Sequence, residues 1–287
     1  MVLPENDSCP FCRSKNAAYV KNVSNYNLYE CKDCTIQFFS PRVFDTQVYV
    51  GEKVSAIYAD YHNMRTRPTI WLLELMKVLK KINFNFDNKL ILEIGAGDAL
   101  NFEYLTNQFN IRKENYEILE LDYKSVETAK KRGVVKAYTQ FFDATFANEK
   151  QSHYDILIIT EVVEHQDDLK TFLENAQSIL KPNGFIIITT PNRERPFIFM
   201  GEKTDAPPHH FLRYNLDFFK KNFQNKIHYA GYYYFNHDNI IQFSKAVSLS
   251  KFKSKSFWLL FYPLYLVKDI AGKLMNNGEG LVVLLKK

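Results

Sequence analysis

The four cysteines of this 287-residue chain form two close pairs. Cys9 and Cys12 lie in C-P-F-C, and Cys31 and Cys34 lie in C-K-D-C after eighteen intervening residues. Two C-x-x-C pairs at this separation predict a tetrahedral zinc site, because each tight turn presents two thiolates on one side. Four thiolates leave no open coordination position, which favours a structural ion over a catalytic one. The alternatives are four free thiols or a redox pair; disulfides are disfavoured without a secretory signal.

A second group of residues suits binding of a nucleotide-like cofactor. Residues 89–94 form an apolar run typical of a buried parallel strand, and the sequence G-A-G-D-A follows it. Glycines after such a strand let a ligand approach the backbone, and Asp122 ends the next apolar run, where a carboxylate can accept hydrogen bonds from ribose hydroxyls. The dinucleotide fingerprint G-x-G-x-x-G fails because its sixth position is Leu100, which disfavours a dehydrogenase.

Histidines are the candidates for proton transfer to and from a substrate hydroxyl. His165 ends the block E-V-V-E-H beside the expected cofactor pocket, and His209 and His210 lie in D-A-P-P-H-H-F-L-R-Y. We expect His209 or His210 to be catalytic or to bind substrate, and His165 to line the pocket or act directly. For each of them the alternative is a structural, hydrogen-bonded histidine.

Three arginines lie close to these histidines in the sequence. Arg193, Arg195 and Arg213 could hold a phosphate or carboxylate of a substrate, because the guanidinium fork matches both groups. Solvation at the surface is an equally good interpretation of all three.

The elements that must position these residues alternate between strands and helices. Strands are predicted from apolar runs over residues 89–94, 116–122, 134–138, 154–160, 185–190, 226–235 and 280–285. Helical spacing predicts helices over 57–82, from 100 onward, and over 125–132, 169–180 and 215–223. This alternation predicts a doubly wound α/β fold with a mostly parallel sheet covered on both faces. Short strands around the cysteines indicate a small zinc ribbon.

On these motifs the chain resembles the class I S-adenosylmethionine-dependent methyltransferases of the small-molecule branch, from about Leu90 to Asn192. The resemblance implies a Rossmann-like sheet of seven strands whose last strand is antiparallel, with S-adenosylmethionine as cofactor. It implies cofactor contacts from Glu93, Gly95, Ala96, Gly97, Asp122, Asp143 and Glu161. Asp143 is the nearest match to the family's adenine-contacting acid. The chain departs from the family pattern at Ala99, where a third glycine is usual.

Three regions follow from this interpretation. Residues 1–41 are expected to form the zinc ribbon, 42–88 a helical connector or lid, and 89–287 the methyltransferase domain, with an insertion at 236–279 before the last strand. Within the insertion, three lysines precede an apolar and aromatic run at 257–267. Helices that cover the active site, a membrane-surface element and a dimer contact are the three interpretations of this segment.

Charge and composition limit the partners. The net charge is +5, but residues 245–287 carry eight lysines and two acidic residues, so the rest of the chain is nearly neutral. Nucleic acid is disfavoured as a partner because no basic stripe crosses the core domain. A start without a basic, apolar leader and the absence of an apolar run of about 18 residues favour a cytoplasmic protein, with the inner membrane surface as the alternative.

The expected function is O-methylation of a small acceptor, a sugar or a glycan or natural-product precursor, presented as a sugar nucleotide or a lipid-linked sugar. Alternatives are methylation of a quinone or polyprenyl lipid, methylation of RNA, and a catalytically silent protein that keeps the cofactor fold. Intact Gly95, Gly97 and Asp122 argue against the silent protein.

Overall fold

The computed structural model describes residues 3–4, 7–43, 45–50, 65, 68–196, 205–234, 267–268 and 270–287. Eleven strands occur within these residues: β1 (Ala17–Val23), β2 (Tyr26–Cys31), β3 (Gln37–Ser40), β4 (Ile91–Ile94), β5 (Tyr116–Glu120), β6 (Lys136–Thr139), β7 (Tyr154–Thr160), β8 (Leu180–Pro191), β9 (Leu212–Arg213), β10 (Ile227–Tyr233) and β11 (Gly280–Lys286). Their helices are α1 (Ile70–Lys81), α2 (Leu100–Phe109), α3 (Tyr123–Lys131), α4 (Ala144–Glu149), α5 (Leu169–Ile179) and α6 (Leu216–Asn222).

The larger sheet has seven strands in the order β10-β11-β8-β7-β4-β5-β6. Strands β4 to β8 are parallel, and β11 pairs antiparallel with both β8 and β10. This arrangement confirms the predicted doubly wound sheet and its antiparallel last strand. The strand order reverses between β4 and β7, and in open α/β sheets the ligand crevice lies at such a switch point, beyond the carboxyl ends of the strands.

Side-chain caps determine where most of the helices begin. Five of the described helices start after a residue whose side chain accepts a backbone N–H of the first turn: Thr69, Asp122, Asp143, Asp168 and Asn215. Each cap satisfies one backbone donor that the helix leaves free. Helix α2 instead follows Ala99, which has a left-handed backbone with φ 55°. The predicted helix over 57–82 is described only from Ile70, and 57–64 lie outside the described residues.

The smaller sheet contains the strands of the predicted ribbon and one distant strand. Its order is β1-β2-β3-β9, and all of its neighbouring strands are antiparallel. Strand β9 comes from the chain after β8, so the ribbon sheet is completed by residues of the α/β core. Tyr29, Ile36 and Phe38 of the ribbon share one buried apolar cluster with Phe218 of α6.

Candidate functional site

A tight glycine loop joins β4 to α2. Gly95 and Gly97 both have left-handed backbones, with φ of 71° and 54°. A Cβ placed on Gly95 would lie 2.6 Å from Cγ2 of Val162, so the position has neither the backbone nor the space for a larger residue. The Gly95 amide donates to the Leu119 carbonyl at 2.8 Å, which ties the loop to the neighbouring strand β5.

A cavity opens over this loop at the carboxyl ends of the parallel strands. Its walls include the predicted residues Gly95, Ala96, Gly97, Asp122, Glu161 and His165. The stretch 140–142 lines it beyond β6, and Tyr49, Arg65, Thr69 and Trp71 line it from the predicted connector. The structure therefore brings most of the predicted cofactor residues together at one crevice, as expected for ligand binding in a doubly wound sheet.

Two acidic residues, Glu120 and Asp122, lie on either side of Leu121 at the end of β5. Asp122 is buried, and its Oδ2 accepts from the Ser125 amide at 2.8 Å and the Ser125 hydroxyl at 2.9 Å. Sequence reasoning missed Glu120, whose carboxylate accepts from the amides of Gly97 and Leu121 at 2.7 Å and of Asp122 at 3.0 Å. Burial raises the pKa of Glu120. The signal was available in I-L-E-L-D (118–122), where an acid stands two residues before Asp122.

Glu93 and Asp143 take positions outside the walls of the cavity. Glu93 is fully buried below the glycine loop, where Asn101 donates to Oε1 at 2.6 Å and the Tyr116 hydroxyl donates to Oε2 at 2.9 Å. Asp143 is exposed and accepts from the Phe146 amide as the cap of α4. The cavity is lined instead by residues 140–142, just before Asp143.

The E-V-V-E-H block forms the far wall of the cavity. Burial raises the pKa of Glu161 to about 7, and burial together with Glu161 raises that of Glu164 well above its usual value. Oε1 of Glu161 and Oε1 of Glu164 are both buried, and neither has a hydrogen-bond partner among the described residues. His165 Nδ1 lies 2.6 Å from the His209 carbonyl oxygen, so Nδ1 carries the proton and Nε2 keeps a lone pair. Burial lowers the pKa of His165 to about 3, which keeps this ring neutral.

The two neighbouring histidines differ in their partners. His210 Nδ1 lies 2.8 Å from Oδ1 of Asp205, and its ring packs edge-on against His165 with centroids 4.8 Å apart. Burial alone would raise the pKa of Asp205, but the hydrogen bond from His210 and the positive charge of Arg195 hold it below its usual value. One carboxylate oxygen of Glu164 and one ring nitrogen each of His165 and His210 lie within 4.8 Å of one another. His209 contributes its carbonyl to this cluster and has its own pKa lowered by burial.

The three arginines considered for substrate binding have acidic neighbours within the protein. Arg195 donates to Asp205 at 3.1 Å, and Nε of Arg213 lies 3.4 Å from the same carboxylate. Arg193 is almost fully buried, with Nη2 3.4 Å from Oε2 of Glu30 in the ribbon. These contacts correct the interpretation as solvated surface charges, since all three guanidinium groups are largely buried beside carboxylates. The three side chains are not among the described residues that line the cavity.

The four cysteine thiols form one compact cluster. Sγ of Cys9 lies 3.5 Å from that of Cys34, and Sγ of Cys12 lies 3.4 Å from that of Cys31. All four sulfur atoms lie within 4.8 Å of one another, and the four cysteines are free of disulfides. A Zn–S distance of about 2.3 Å separates thiolates in a tetrahedral shell by about 3.8 Å, so the donors and their spacing fit such an ion.

The predicted insertion at 236–279 lies mostly outside the described residues, and so does the basic and aromatic run 251–266. Its described end includes apolar side chains that are largely exposed: Val267, Ile270, Leu274 and Met275. Among the helices that the structure describes, none is long and apolar enough to cross a membrane.

Comparison with known sequences gives one family match. A family model described as a methyltransferase domain matches residues 62–249. The ubiquinone biosynthesis O-methyltransferase of Rickettsia felis is 32% identical over 134 residues, which are 45% of this chain and 53% of that protein. The hybrid PKS-NRPS synthetase buaA of Petromyces alliaceus is 27% identical over 155 residues, or 48% of this chain and 4% of the synthetase. The chain thus spans about half of the first protein and a small part of the second.

Solved structures share the fold at low sequence identity. A SAM-dependent methyltransferase from Archaeoglobus fulgidus has a TM-score of 0.52 at 15% identity, covering 81% of this chain and all of that one. A chain of the complex between the Haloferax volcanii Trm112 methyltransferase activator and a methyltransferase has a TM-score of 0.56 at 13% identity, covering 80% and 94%. The fold is therefore that of the SAM-dependent methyltransferases.

Proposed function

Since the chain belongs to the methyltransferase-domain family, we propose that it transfers the methyl group of S-adenosylmethionine to a small-molecule acceptor. One observation carries the proposal: the cavity at the switch point has the glycine loop on one side and buried Asp122 on the other. The cofactor supplies an electrophilic methyl group, and the residues of the chain bind it, align the acceptor and handle the acceptor's proton.

We assign the parts of the cofactor to three segments. Residues 95–97 hold the methionine part through backbone groups, and Asp122 accepts hydrogen bonds from the ribose hydroxyls. The stretch 140–142 contacts the adenine, because it lines the cavity where Asp143 does not. Glu93 supports the loop from below through Asn101. Glu161 closes the far wall, next to the histidine cluster.

The histidine cluster supplies the proton acceptor in this proposal. Asp205 accepts from Nδ1 of His210, which fixes the tautomer and leaves the lone pair on Nε2, as in other carboxylate–histidine pairs. His165 stays neutral and packs against His210, so it orients an acceptor hydroxyl by hydrogen bonding. We therefore assign proton removal to His210, acceptor positioning to His165, and a supporting backbone contact to His209.

The acceptor in this proposal carries a hydroxyl group. A sugar or a glycan precursor is the first candidate, and the polar cluster of Glu164, His165 and His210 supports it. A phenolic quinone precursor is the second, and the similarity to the ubiquinone biosynthesis O-methyltransferase of Rickettsia felis supports that. A panel of sugar nucleotides and phenolic quinone precursors, assayed for transfer of radiolabelled methyl groups, distinguishes the two candidates.

Two further proposals concern the ends of the chain. We propose that the four cysteines hold a structural Zn²⁺, supported by their donor chemistry and spacing. Metal analysis of the purified protein tests this, and about one zinc per chain is expected, falling to near zero in Cys34→Ser.

We also propose that the lysine-rich segment 251–267, with the exposed apolar residues that follow it, contacts an anionic membrane surface.

The decisive experiment for the activity is calorimetric titration with S-adenosylhomocysteine. Asp122→Asn keeps a capping side chain on α3 but removes the charge, and it should weaken binding about tenfold, or about 1.4 kcal/mol. Asp143→Asn is the matched control, because Asp143 caps α4 outside the cavity, and its affinity should equal that of the wild type. A well-folded, zinc-loaded wild type that binds no S-adenosylhomocysteine would refute the proposed activity and favour the catalytically silent alternative.

A further inference from the structure

The residues that directly follow His210 form a strand of the ribbon sheet. In β9, Leu212 pairs with Phe38 and Arg213 pairs with Gln37 of β3. The Phe39 amide donates to the Phe211 carbonyl at 2.9 Å, which extends this pairing toward the histidines. A strand of two residues has too few hydrogen bonds to hold itself in place, so its position depends on its partner β3.

The opposite side of the same segment contacts the wall of the cavity. The Phe211 amide donates to the Glu164 carbonyl at 2.8 Å, and the Tyr214 hydroxyl donates to the Val163 carbonyl at 2.9 Å. Residues 211–214 therefore lie between the ribbon and the E-V-V-E-H block. Any displacement of β3 would move His210 relative to His165.

A second set of hydrogen bonds connects the ribbon to the core, next to its second cysteine pair. Arg193 donates through Nη1 to the Thr35 carbonyl at 2.6 Å, and its backbone amide donates to the Tyr214 carbonyl at 2.7 Å. Asn222 donates to the Cys34 carbonyl at 3.0 Å. The turn next to Cys31 and Cys34 is thus connected through Arg193 to the end of residues 205–214, the histidine segment.

We propose that the ribbon holds in place the part of the active site that binds the acceptor, the acceptor half. Arg193 is then a positioning residue, which transmits the geometry of the metal-binding turn to His209 and His210. The inference rests on the proposed methyl transfer and the proposed zinc ion. It gives the ribbon a role in acceptor binding, in addition to stabilising the fold.

The cofactor half of the site is supported from a different direction. The described contacts of the glycine loop run to Leu119 and Glu120 of β5, and those of Glu93 run to α2 and β5. These contacts lie within the large sheet and its helices. Loosening the ribbon should therefore alter the histidine segment and leave cofactor binding nearly unchanged.

Hydrogen–deuterium exchange of the full-length, zinc-loaded protein tests this separation. In Arg193→Met, amides of 37–40 and 205–214 should exchange at least about tenfold faster, while those of 94–101 keep the wild-type rate. Arg13→Met is the matched control: Arg13 also joins the ribbon to the core, by an exposed ion pair to Asp168 at 2.7 Å that involves neither β3 nor β9. This control should leave 205–214 unchanged. Arg193→Lys, which keeps one donor for Thr35, should restore part of the protection.

Two further measurements separate positioning from general stability. The ring NMR signals of His209 and His210 should shift in Arg193→Met and not in Arg13→Met, and the affinity for S-adenosylhomocysteine should stay within about twofold of wild type in both. Removing the metal from the wild type with a chelator should reproduce the exchange pattern of Arg193→Met. If Arg193→Met does not fold, the chelator experiment replaces it as the test.

Unchanged exchange at 205–214, or equal acceleration throughout the chain, would overturn the inference. A wild type that binds no S-adenosylhomocysteine would refute the proposed activity instead, and the exchange pattern would still decide whether the ribbon supports the histidine segment.

Discussion

At the scale of single residues, Glu93 shows how a buried carboxyl supports the glycine loop without touching the cavity. It has no exposed surface, and Asn101 and Tyr116 each donate one hydrogen bond to it. Burial raises its pKa to about 8, although both donors act in the opposite direction. Glu93 is therefore largely protonated at neutral pH in the folded chain.

This assignment predicts how stability depends on pH. Between the unfolded pKa near 4.5 and the folded value of about 8, the folded state binds a proton that the unfolded state has released. The contribution of Glu93 to the free energy of unfolding therefore falls by about 1.4 kcal/mol per pH unit as the pH rises through this window. Glu93→Gln should reduce the loss of stability between pH 5.5 and pH 8 by about 3 kcal/mol in urea unfolding.

A second glutamate provides the control for this measurement. Glu114 is exposed, so Glu114→Gln should show the same pH dependence as the wild type. A Glu93→Gln protein whose stability changes with pH as steeply as that of the wild type would show that Glu93 is already ionised at neutral pH.

Residues that belong to motifs with short, characteristic spacings could be predicted from the sequence. The two cysteine pairs lie together in the structure, and the residues of the glycine loop and Asp122 line one cavity. Residues whose roles depend on distant partners could not be predicted. Arg193 faces Glu30 of the ribbon, 163 positions away along the sequence.

At the scale of elements, strongly apolar strands were predictable and pairing-dependent ones were not. Strand β7 covers the predicted residues 154–160, and β11 begins at the predicted Gly280. Residues 181–184, between the predicted helix 169–180 and the predicted strand 185–190, belong to β8, where Leu180 pairs with Tyr154 and Lys181 lies 2.8 Å from Asp155. Strand β9 has only two residues, so no periodicity could reveal it.

Helix α1 gives an element-scale prediction. Thr69 and Trp71, at its start, line the cavity, so α1 covers one side of the proposed cofactor site. The sequence has one other tryptophan, Trp258, in the C-terminal segment. In Trp258→Phe, S-adenosylhomocysteine should change the intensity or wavelength of the remaining tryptophan emission, because the ligand excludes water from one side of the ring.

The reciprocal variant is the control for this titration. In Trp71→Phe calorimetry should still detect binding, and any change in the remaining emission reports Trp258 and not α1. A Trp258→Phe protein that binds the ligand without any spectral change would place α1 outside the cofactor site.

At the scale of the whole molecule, the charge is concentrated at one end of the sequence. Residues 1–244 are nearly neutral, whereas 245–287 carry a net charge of +6, from eight lysines against two acidic residues. The exposed apolar side chains of the described C-terminal region lie in the same part of the sequence, and Leu274 is 83% exposed. Basic and apolar residues together are the combination that binds anionic membrane surfaces.

Co-sedimentation with vesicles tests this membrane contact on the intact chain. The protein should sediment with phosphatidylserine-containing vesicles at low salt, stay in solution with pure phosphatidylcholine, and be released at high ionic strength, because screening shortens the range of the lysine charges. Leu274→Ser together with Met275→Ser should weaken sedimentation without unfolding the chain, since both side chains are largely exposed. Val43→Ser is the matched control: Val43 is 68% exposed but lies next to the ribbon, so its removal should change nothing. Failure of the wild type to sediment with anionic vesicles at low salt would exclude the membrane contact and leave a lid or a dimer interface as the role of this segment.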